Sequence, residues 1–290
     1  MHDLLLLGLN HTTAPLALRE KFALTQDRRA AAMHLLRERF AGCEAVLLST
    51  CNRVELYASR TGHGHPSDEE MLAFVAGLGG VVPEALREHV YQKYSRGVVE
   101  HLFSVVSSLD SMVIGETQIL GQVRQAYDAA HDAGAVAATL HPLFQRAVAV
   151  GKQVMTETKI TEGRLSVGSV AVECAGRIFD HYRDKTVLCI GAGKMTALVL
   201  QSFSALQPSR LLVCNRSEEK AAELAQKFGG ESASLDRLEE HLVSADVVVS
   251  STGASHPIIT RSRFEPLLRA RRYRPIFLID IALPRDVEPG

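Results

Sequence analysis

The chain has 290 residues, of which 46% are hydrophobic and 22% charged, the balance of an ordinary globular protein long enough for two domains. Lys and Arg total 32 against 33 Asp and Glu, so the net charge of -1 supplies no general attraction for nucleic acid, and such a partner needs a local patch. Collagen-like, low-complexity and mostly disordered chains are excluded, and apolar runs such as Leu4 to Leu7 fall far short of the ~20 residues of a membrane helix.

An apolar run, Leu4 to Asn10, predicts the first strand. A helical pattern follows from about Asp27 to Phe40, with Thr25 or Asp27 as its cap. Ala45 to Thr50 reads as a buried strand. After a tight turn, Val54, Leu56 and Ala58 alternate with Glu55 and Tyr57 as a second one. Thr61 to Ser67 is a loop by composition. From about Ser95 to Ile160 the pattern is helical, with Ile119, Leu120, Val123, Tyr127 and Ala130 on one face and Gln118, Gln122 and Gln125 on another. Long helices are expected over about Ala137 to Ile160 and Leu165 to His181. The domain boundary falls between them, near Thr161-Glu162-Gly163, giving domains 1–160 and 161–290. Beyond it, strands at Lys185 to Ile190, Leu211 to Cys214, Asp246 to Ser250 and Ile276 to Ile281 alternate with helices, one of them Glu218 to Phe228 capped by Ser217. The fold class is therefore α/β: an N-terminal α+β domain followed by a Rossmann-type domain with a parallel sheet.

Gly191-Ala192-Gly193 stands where a strand meets a helix, and Lys194, Met195 and Thr196 open that helix. Two glycines permit a tight turn and a close approach to a pyrophosphate, which the free N–H groups and positive dipole end of the helix attract. Thr196 replaces the third glycine of the usual fingerprint, which weakens close helix–sheet packing more than binding. The next strand ends in Asn215-Arg216-Ser217, where an NAD site usually carries a carboxylate. Arg216 can pair with a 2′-phosphate and Ser217 can hydrogen-bond it, so NADP is favoured. A Rossmann-like domain that binds nothing, with Arg216 a solvated surface charge, is the alternative.

Five cysteines (Cys43, Cys51, Cys174, Cys189, Cys214) are odd in number, scattered and nowhere spaced C-x-x-C, which points to reduced thiols in a cytoplasmic protein without a disulfide framework or zinc site. The N-terminus lacks the basic region and cleavage site of a signal peptide. Cys51 lies between two strands, where a turn presents a thiol at a pocket lip. With a pKa near 8.5 such a thiol is only about 3% thiolate at pH 7, so a cation such as Arg53 or a base such as His101 would help it. Taken alone, a cysteine after a buried strand is more often a small core residue.

Longer motifs decide between these readings. Gly8 to Pro15, Leu48 to Tyr57 (LSTCNRVELY), Leu109 to Val123 (LDSMVIGETQILGQV), the Gly191–Gly193 turn, Cys214 to Ser217 and Leu278 to Pro289 (LIDIALPRDVEP) together resemble the glutamyl-tRNA reductase family, in the family's order and over nearly the whole chain. The resemblance implies NADPH-dependent reduction of glutamyl-tRNA(Glu) to glutamate-1-semialdehyde, the first step of five-carbon tetrapyrrole synthesis, through a thioester on Cys51. It implies an activity-sensitive His101 and substrate contacts at Thr50, Asn52, Arg53, Ser111, Glu116, Thr117, Gln118 and Gln122, with Arg53 on the substrate carboxylate and Glu116 on its α-ammonium. Glutamate-1-semialdehyde aminotransferase is an implied partner; no metal or membrane is.

The chain departs from the pattern at Ser108, usually glycine, and at Thr117, commonly proline. It also stops at Gly290, before the segment that usually carries the family's dimerisation domain, so a mostly monomeric protein with weak tRNA affinity is expected, despite the cluster Arg269, Arg271, Arg272 and Arg274. A dehydrogenase of a small free substrate, and a catalytically impaired homologue binding tRNA or regulating the haem pathway, are the competing readings.

Overall fold

The computed structural model describes residues 3–60, 65–116, 118–161 and 167–289; the expected contact Thr117 and the junction Glu162-Gly163 lie outside them. The α/β chain falls into two compact units, Met1–Arg164 and Leu165–Gly290.

The first unit is built on a four-stranded sheet of order β2-β3-β1-β4, with β1 Asp3–Asn10, β2 Glu44–Ser49, β3 Arg53–Arg60 and β4 Tyr91–Tyr94. All its pairings are antiparallel. The expected strand through Val54, Leu56 and Ala58 is present as β3, and both of its faces are buried. The strand is central, and Glu55 and Tyr57 are as fully buried as Leu56. Alternation along the strand then separates two interiors. Leu5, Leu7 and Leu9 face one way. Gly8 and Asn10 share the other face with their cross-strand partners Glu55 and Arg53.

The Gln26–Arg39 helix is capped by Thr25, whose side chain accepts from Arg28 N–H. The region expected to be helical from Ser95 to Ile160 is three helices, Arg96–Val106, Gln118–Asp132 and Leu140–Glu157. Between the first two, the chain leaves the helix at Ser107 and runs through a loop to Glu116. Ser108 sets that exit: it is fully buried with φ of 58°, the left-handed region that favours the glycine expected there. At the loop's far end Gly115 has φ of 83°, and a Cβ on it would lie 2.1 Å from Ile160 O. Sequence patterning missed the Asp68–Leu78 helix, closed by a capping box between Ser67 and Glu70, and the short β4.

The second unit carries a five-stranded parallel sheet of order β7-β6-β5-β8-β9, with β5 Thr186–Ile190, β6 Arg210–Asn215, β7 Glu231–Ser234, β8 Val247–Ser250 and β9 Phe277–Asp280. Alternate residues feed two cores. Val187, Cys189 and Val213 pack with Val199 and Phe203, and Leu188, Ile190 and Leu212 pack with Leu238 and Leu242. Apolar residues on both faces are the mark of a sheet sandwiched by helices. The chain reverses its direction of winding between β5 and β8, which opens a crevice at their C-terminal ends. Strand β7 was not anticipated, because Glu231-Ser232-Ala233-Ser234 carries almost no apolar signal. Of the arginine cluster, Arg271 is wholly buried and donates to the carbonyls of Val243, Ala245 and Pro275, so it closes a helix end instead of facing a polyanion.

One side chain ties the sheet of the first unit to its last long helix. Glu44, at the start of β2, accepts hydrogen bonds from Ala137 N–H (2.8 Å), Thr139 N–H (2.9 Å) and Leu140 N–H (2.7 Å), the amides at the entrance of the Leu140–Glu157 helix. Burial alone would raise its pKa, but these donors lower it. Replacing Glu44 by Ala strands the amides, and the expected loss is about 2–3 kcal/mol in urea unfolding.

Candidate active site

The β2–β3 connection is a four-residue turn. Thr50 N–H donates to Arg53 O (2.8 Å), and Thr50 Oγ1 accepts from the N–H groups of Asn52 and Arg53 (3.1 Å each). Cys51 and Asn52 form its tip. Of the five cysteines only Cys51 is exposed; Cys189 and Cys214 are buried and Cys43 and Cys174 half-buried. Burial pushes the thiols of Cys43, Cys189 and Cys214 up to about 11, 12 and 11, which keeps them inert.

Two groups that sequence reading left out hold this tip. Arg19 donates to Cys51 O (2.9 Å) and to Ala14 O (3.2 Å), and His11 N–H donates to Asn52 O (2.9 Å). His11 follows an Asx turn in which Asn10 Oδ1 accepts from Thr12 and Thr13 N–H. Burial and the charges of Arg53 and Arg19 lower its pKa, so its ring is neutral at pH 7, and its Nδ1 has no partner among the described residues. His11 sits in the Gly8–Pro15 motif; Arg19 left no comparable signal.

The thiol itself is not pre-ionised. The protein around it removes water and the Glu116 carboxylate adds repulsion; both raise its pKa, with Arg19 opposing. Glu116 is in turn raised by desolvation. The structure therefore brings Thr50, Cys51, Asn52 and Glu116 together, with half-buried Ser111 on the loop leading to Glu116.

Arg53 and His101 stand elsewhere than expected. Arg53 is 2% exposed, and its guanidinium turns inward to Glu55 Oε1 (2.7 Å), Asp110 Oδ2 (3.1 Å) and Asp110 O. It neither activates the thiol through solvent nor presents a free fork to a substrate. His101 Nε2 meets Glu55 Oε1 at 2.8 Å and its Nδ1 lies 3.8 Å from Asp110 Oδ2. No hydrogen bond joins it to Cys51 among the described residues. Glu55 also accepts from Tyr57 Oη (2.5 Å) and Tyr91 Oη (2.6 Å). Burial would raise its pKa, but His101, Arg53 and Tyr57 overcome that and hold it at about 2. Gly8 makes the room, since a Cβ there would fall 2.9 Å from Glu55 Cγ and from the Tyr91 ring. Glu55, His101 and Asp110 could between them ligate a cation. The Arg53 guanidinium already neutralises that cluster.

In the second unit Gly191 has φ of 111°, and a Cβ on it would lie 2.2 Å from Ser251 O, so the turn leaving β5 requires glycine. A Cβ at Gly193 would meet nothing within 4 Å, which leaves open space at the N-terminus of the Lys194–Ser204 helix. Ala192 is half-buried, Lys194 exposed, Met195 half-buried and Thr196 buried. At the end of β6, Asn215 Nδ2 donates to Ser217 O (3.2 Å), and Ser217 caps the Glu218–Lys227 helix. Arg216 is exposed, with no acidic partner among the described residues. These residues fit a dinucleotide at the crevice between β5 and β8.

Against known proteins, the profile described as "Glutamyl-tRNAGlu reductase, N-terminal domain" matches residues 7–158, more than half of the chain. The chain belongs to the glutamyl-tRNA reductase family. Residues 173–290 match the profile "Shikimate / quinate 5-dehydrogenase", which agrees with the nicotinamide-nucleotide-binding fold of the second unit. The glutamyl-tRNA reductase of Brevibacillus brevis is 41% identical over 99% of this chain and 63% of its own length. That of an Acidovorax species is 43% identical over 98% and 66%. The solved glutamyl-tRNA reductase of Methanopyrus kandleri is 40% identical, with a TM-score of 0.53, and is covered over 69% of its chain by all of this one. The chain thus spans about two-thirds of the length of these relatives.

Because a negative neighbour raises the thiol pKa, Glu116→Gln should lower it. Iodoacetamide alkylation of Cys51 at pH 7.5, read by intact mass, is then expected to run about two- to fivefold faster in Glu116→Gln than in the parent, and the parent rate to climb steadily between pH 7 and 9.

Proposed function

We propose that this protein reduces glutamyl-tRNA(Glu) to glutamate-1-semialdehyde with NADPH, the opening step of five-carbon tetrapyrrole synthesis. The observation that carries the reading is the placement of Cys51, the exposed thiol of the chain, at the tip of a braced turn between Arg19, His11 and Glu116. The thiolate attacks the ester carbonyl between glutamate and the tRNA ribose. The C–S bond forms, the C–O bond breaks, and the tRNA hydroxyl takes a proton and leaves. His11, whose backbone braces the turn and whose ring is neutral, is the group proposed to accept the thiol proton. A thioester is less resonance-stabilised than an ester, so its carbonyl accepts hydride more readily. NADPH, when bound, supplies that hydride. Collapse of the resulting tetrahedral centre then returns the sulfur of Cys51 and frees the aldehyde.

Thr50, Asn52, Ser111, Glu116, Thr117, Gln118 and Gln122 are proposed to bind the glutamyl group, Glu116 taking the α-ammonium. Arg53 reaches a substrate carboxylate by exchange. Asp110, its outer partner, is 36% exposed, and an incoming carboxylate takes its place while Glu55 stays. His101 acts through Glu55 as a positioning group. Gly191, Ala192, Gly193, Lys194, Met195 and Thr196 receive the pyrophosphate, and Asn215, Arg216 and Ser217 the 2′-phosphate.

Substituting serine for Cys51 should leave the fold intact and abolish turnover, because a serine hydroxyl without a dedicated base is a far poorer nucleophile. Semialdehyde formation from glutamyl-tRNA and NADPH is the measurement; near-normal turnover by folded Cys51→Ser protein sinks the thioester route.

Cofactor choice has its own test. Arg216→Ala removes a charge-assisted contact of about 1.5–3 kcal/mol, so NADPH affinity should fall roughly ten- to a hundredfold while NADH affinity barely moves. Equal losses for the two cofactors would refute the assignment.

A further inference from the structure

A groove of about 790 Å³ runs between the Gln26–Arg39 and Gln118–Asp132 helices, along the edge strand β2, and of its lining only Gln122 has a role in the proposed glutamyl site. Its volume is that of a small-ligand cleft (~300–1,000 Å³). Leu47 and Met33 make an apolar floor, and Ala30, Ala126 and Ala129 keep the walls low. One mouth is Ser49, the last residue of β2 and two residues before Cys51. Arg29 guards this mouth. One of its nitrogens donates to Ser49 O (3.4 Å), which leaves other N–H groups for an anion. Deeper in, the side chains of Gln122 and Gln125 line the wall, and neither amide has a partner among the described residues. The far end is closed by the carboxylates of Asp128 and Asp132.

We propose that this groove seats the 3′-terminal adenosine of the glutamyl ester, an inference that rests on the reading of Cys51 as the acyl acceptor. The ribose of that nucleoside carries both the ester and the 5′-phosphate. With the ribose at the Ser49 mouth, the ester carbonyl faces Cys51 and the phosphate faces Arg29. The base then extends over Leu47 and Met33. A side-chain amide pairs with the N6 and N7 edge of adenine, which suits Gln125, while Gln122 is left to the glutamyl group. The two aspartates repel a second phosphate, so the groove admits one nucleoside, and the rest of the strand leaves past Arg29.

The experiment compares acylation of Cys51, read by intact mass, with two glutamate α-esters: 3′-O-glutamyl adenosine 5′-monophosphate and the p-nitrophenyl ester. Ala30 is exposed on its helix, so Ala30→Trp fills the groove with little risk to the fold, which its melting curve checks. The ratio of nucleotide-ester to nitrophenyl-ester rates is expected to drop at least tenfold in Ala30→Trp and about threefold in Gln125→Ala. An unchanged ratio in both folded variants overturns the proposal. If neither ester acylates the parent protein, the reading of Cys51 has failed, and a titration with adenosine 5′-monophosphate followed by NMR still decides the groove. Shifts confined to Gln125, Ala126 and Ala129 uphold it; none at millimolar nucleotide overturn it.

Discussion

A guanidinium buried at 2% exposure at the end of the Cys51 turn is the constraint around which the first unit is arranged. Removing such a charge from water costs several kcal/mol unless it is paired and its donors are used. Glu55 answers it, and because Glu55 is itself fully buried it needs donors in turn, which Tyr57, Tyr91 and His101 provide. Each requirement recruits an element. Tyr91 comes from β4, His101 from the Arg96–Val106 helix, and the space above them from Gly8 in β1. Arg53 is also the last residue of the turn that carries Cys51, so the network fixes the end of the turn while Arg19 and His11 hold its tip. Removing one partner leaves an uncompensated buried charge; the set holds together or fails together.

The two sheets solve different problems. In the second unit both faces are apolar, and chemistry is confined to strand ends, where helix N-termini and backbone amides are free. Asp286, wholly buried, accepts from Ser250 Oγ (2.7 Å) and Thr252 N–H (2.9 Å) and so fixes the chain leaving β8 opposite the Gly191 turn. In the first unit one face of the sheet is itself polar. That face costs desolvation but gives a rigid support at the foot of the turn that carries Cys51, which a loop alone would not give.

Much of this was legible in the sequence. The strand–turn–helix at Gly191 follows from local rules, because a positive φ admits glycine and little else. Cys51 was legible only through long motifs, since by composition its flanks match those of any core cysteine. The strand through Glu55 and Tyr57 was legible but the burial of both its faces was not, because alternation of residue type cannot distinguish water from a buried polar network. The inward turn of Arg53 depends on Asp110, 57 residues away, and no local pattern encodes such a pairing. Arg19 and the groove beside β2 arise from packing, for which periodicity has no vocabulary.

The loop from Ser107 to Glu116 joins these levels. Its ends are pinned by backbone conformation, Ser108 and Gly115 both being in the left-handed region. Its middle exposes Leu109, Met112 and Ile114 at 59%, 68% and 62%, so little burial holds it. Asp110 rides on this weakly held segment but bonds the most tightly held cation in the unit. In the proposed exchange of its carboxylate for that of a substrate, the charge on Arg53 stays balanced by two carboxylates, Glu55 and the newcomer. The exchange therefore costs no unpaired charge in the interior, only the local rearrangement of a segment that the core does not grip. Arg53 thus has a rigid inner partner in Glu55 and a yielding outer one in Asp110, the arrangement that the proposed exchange requires.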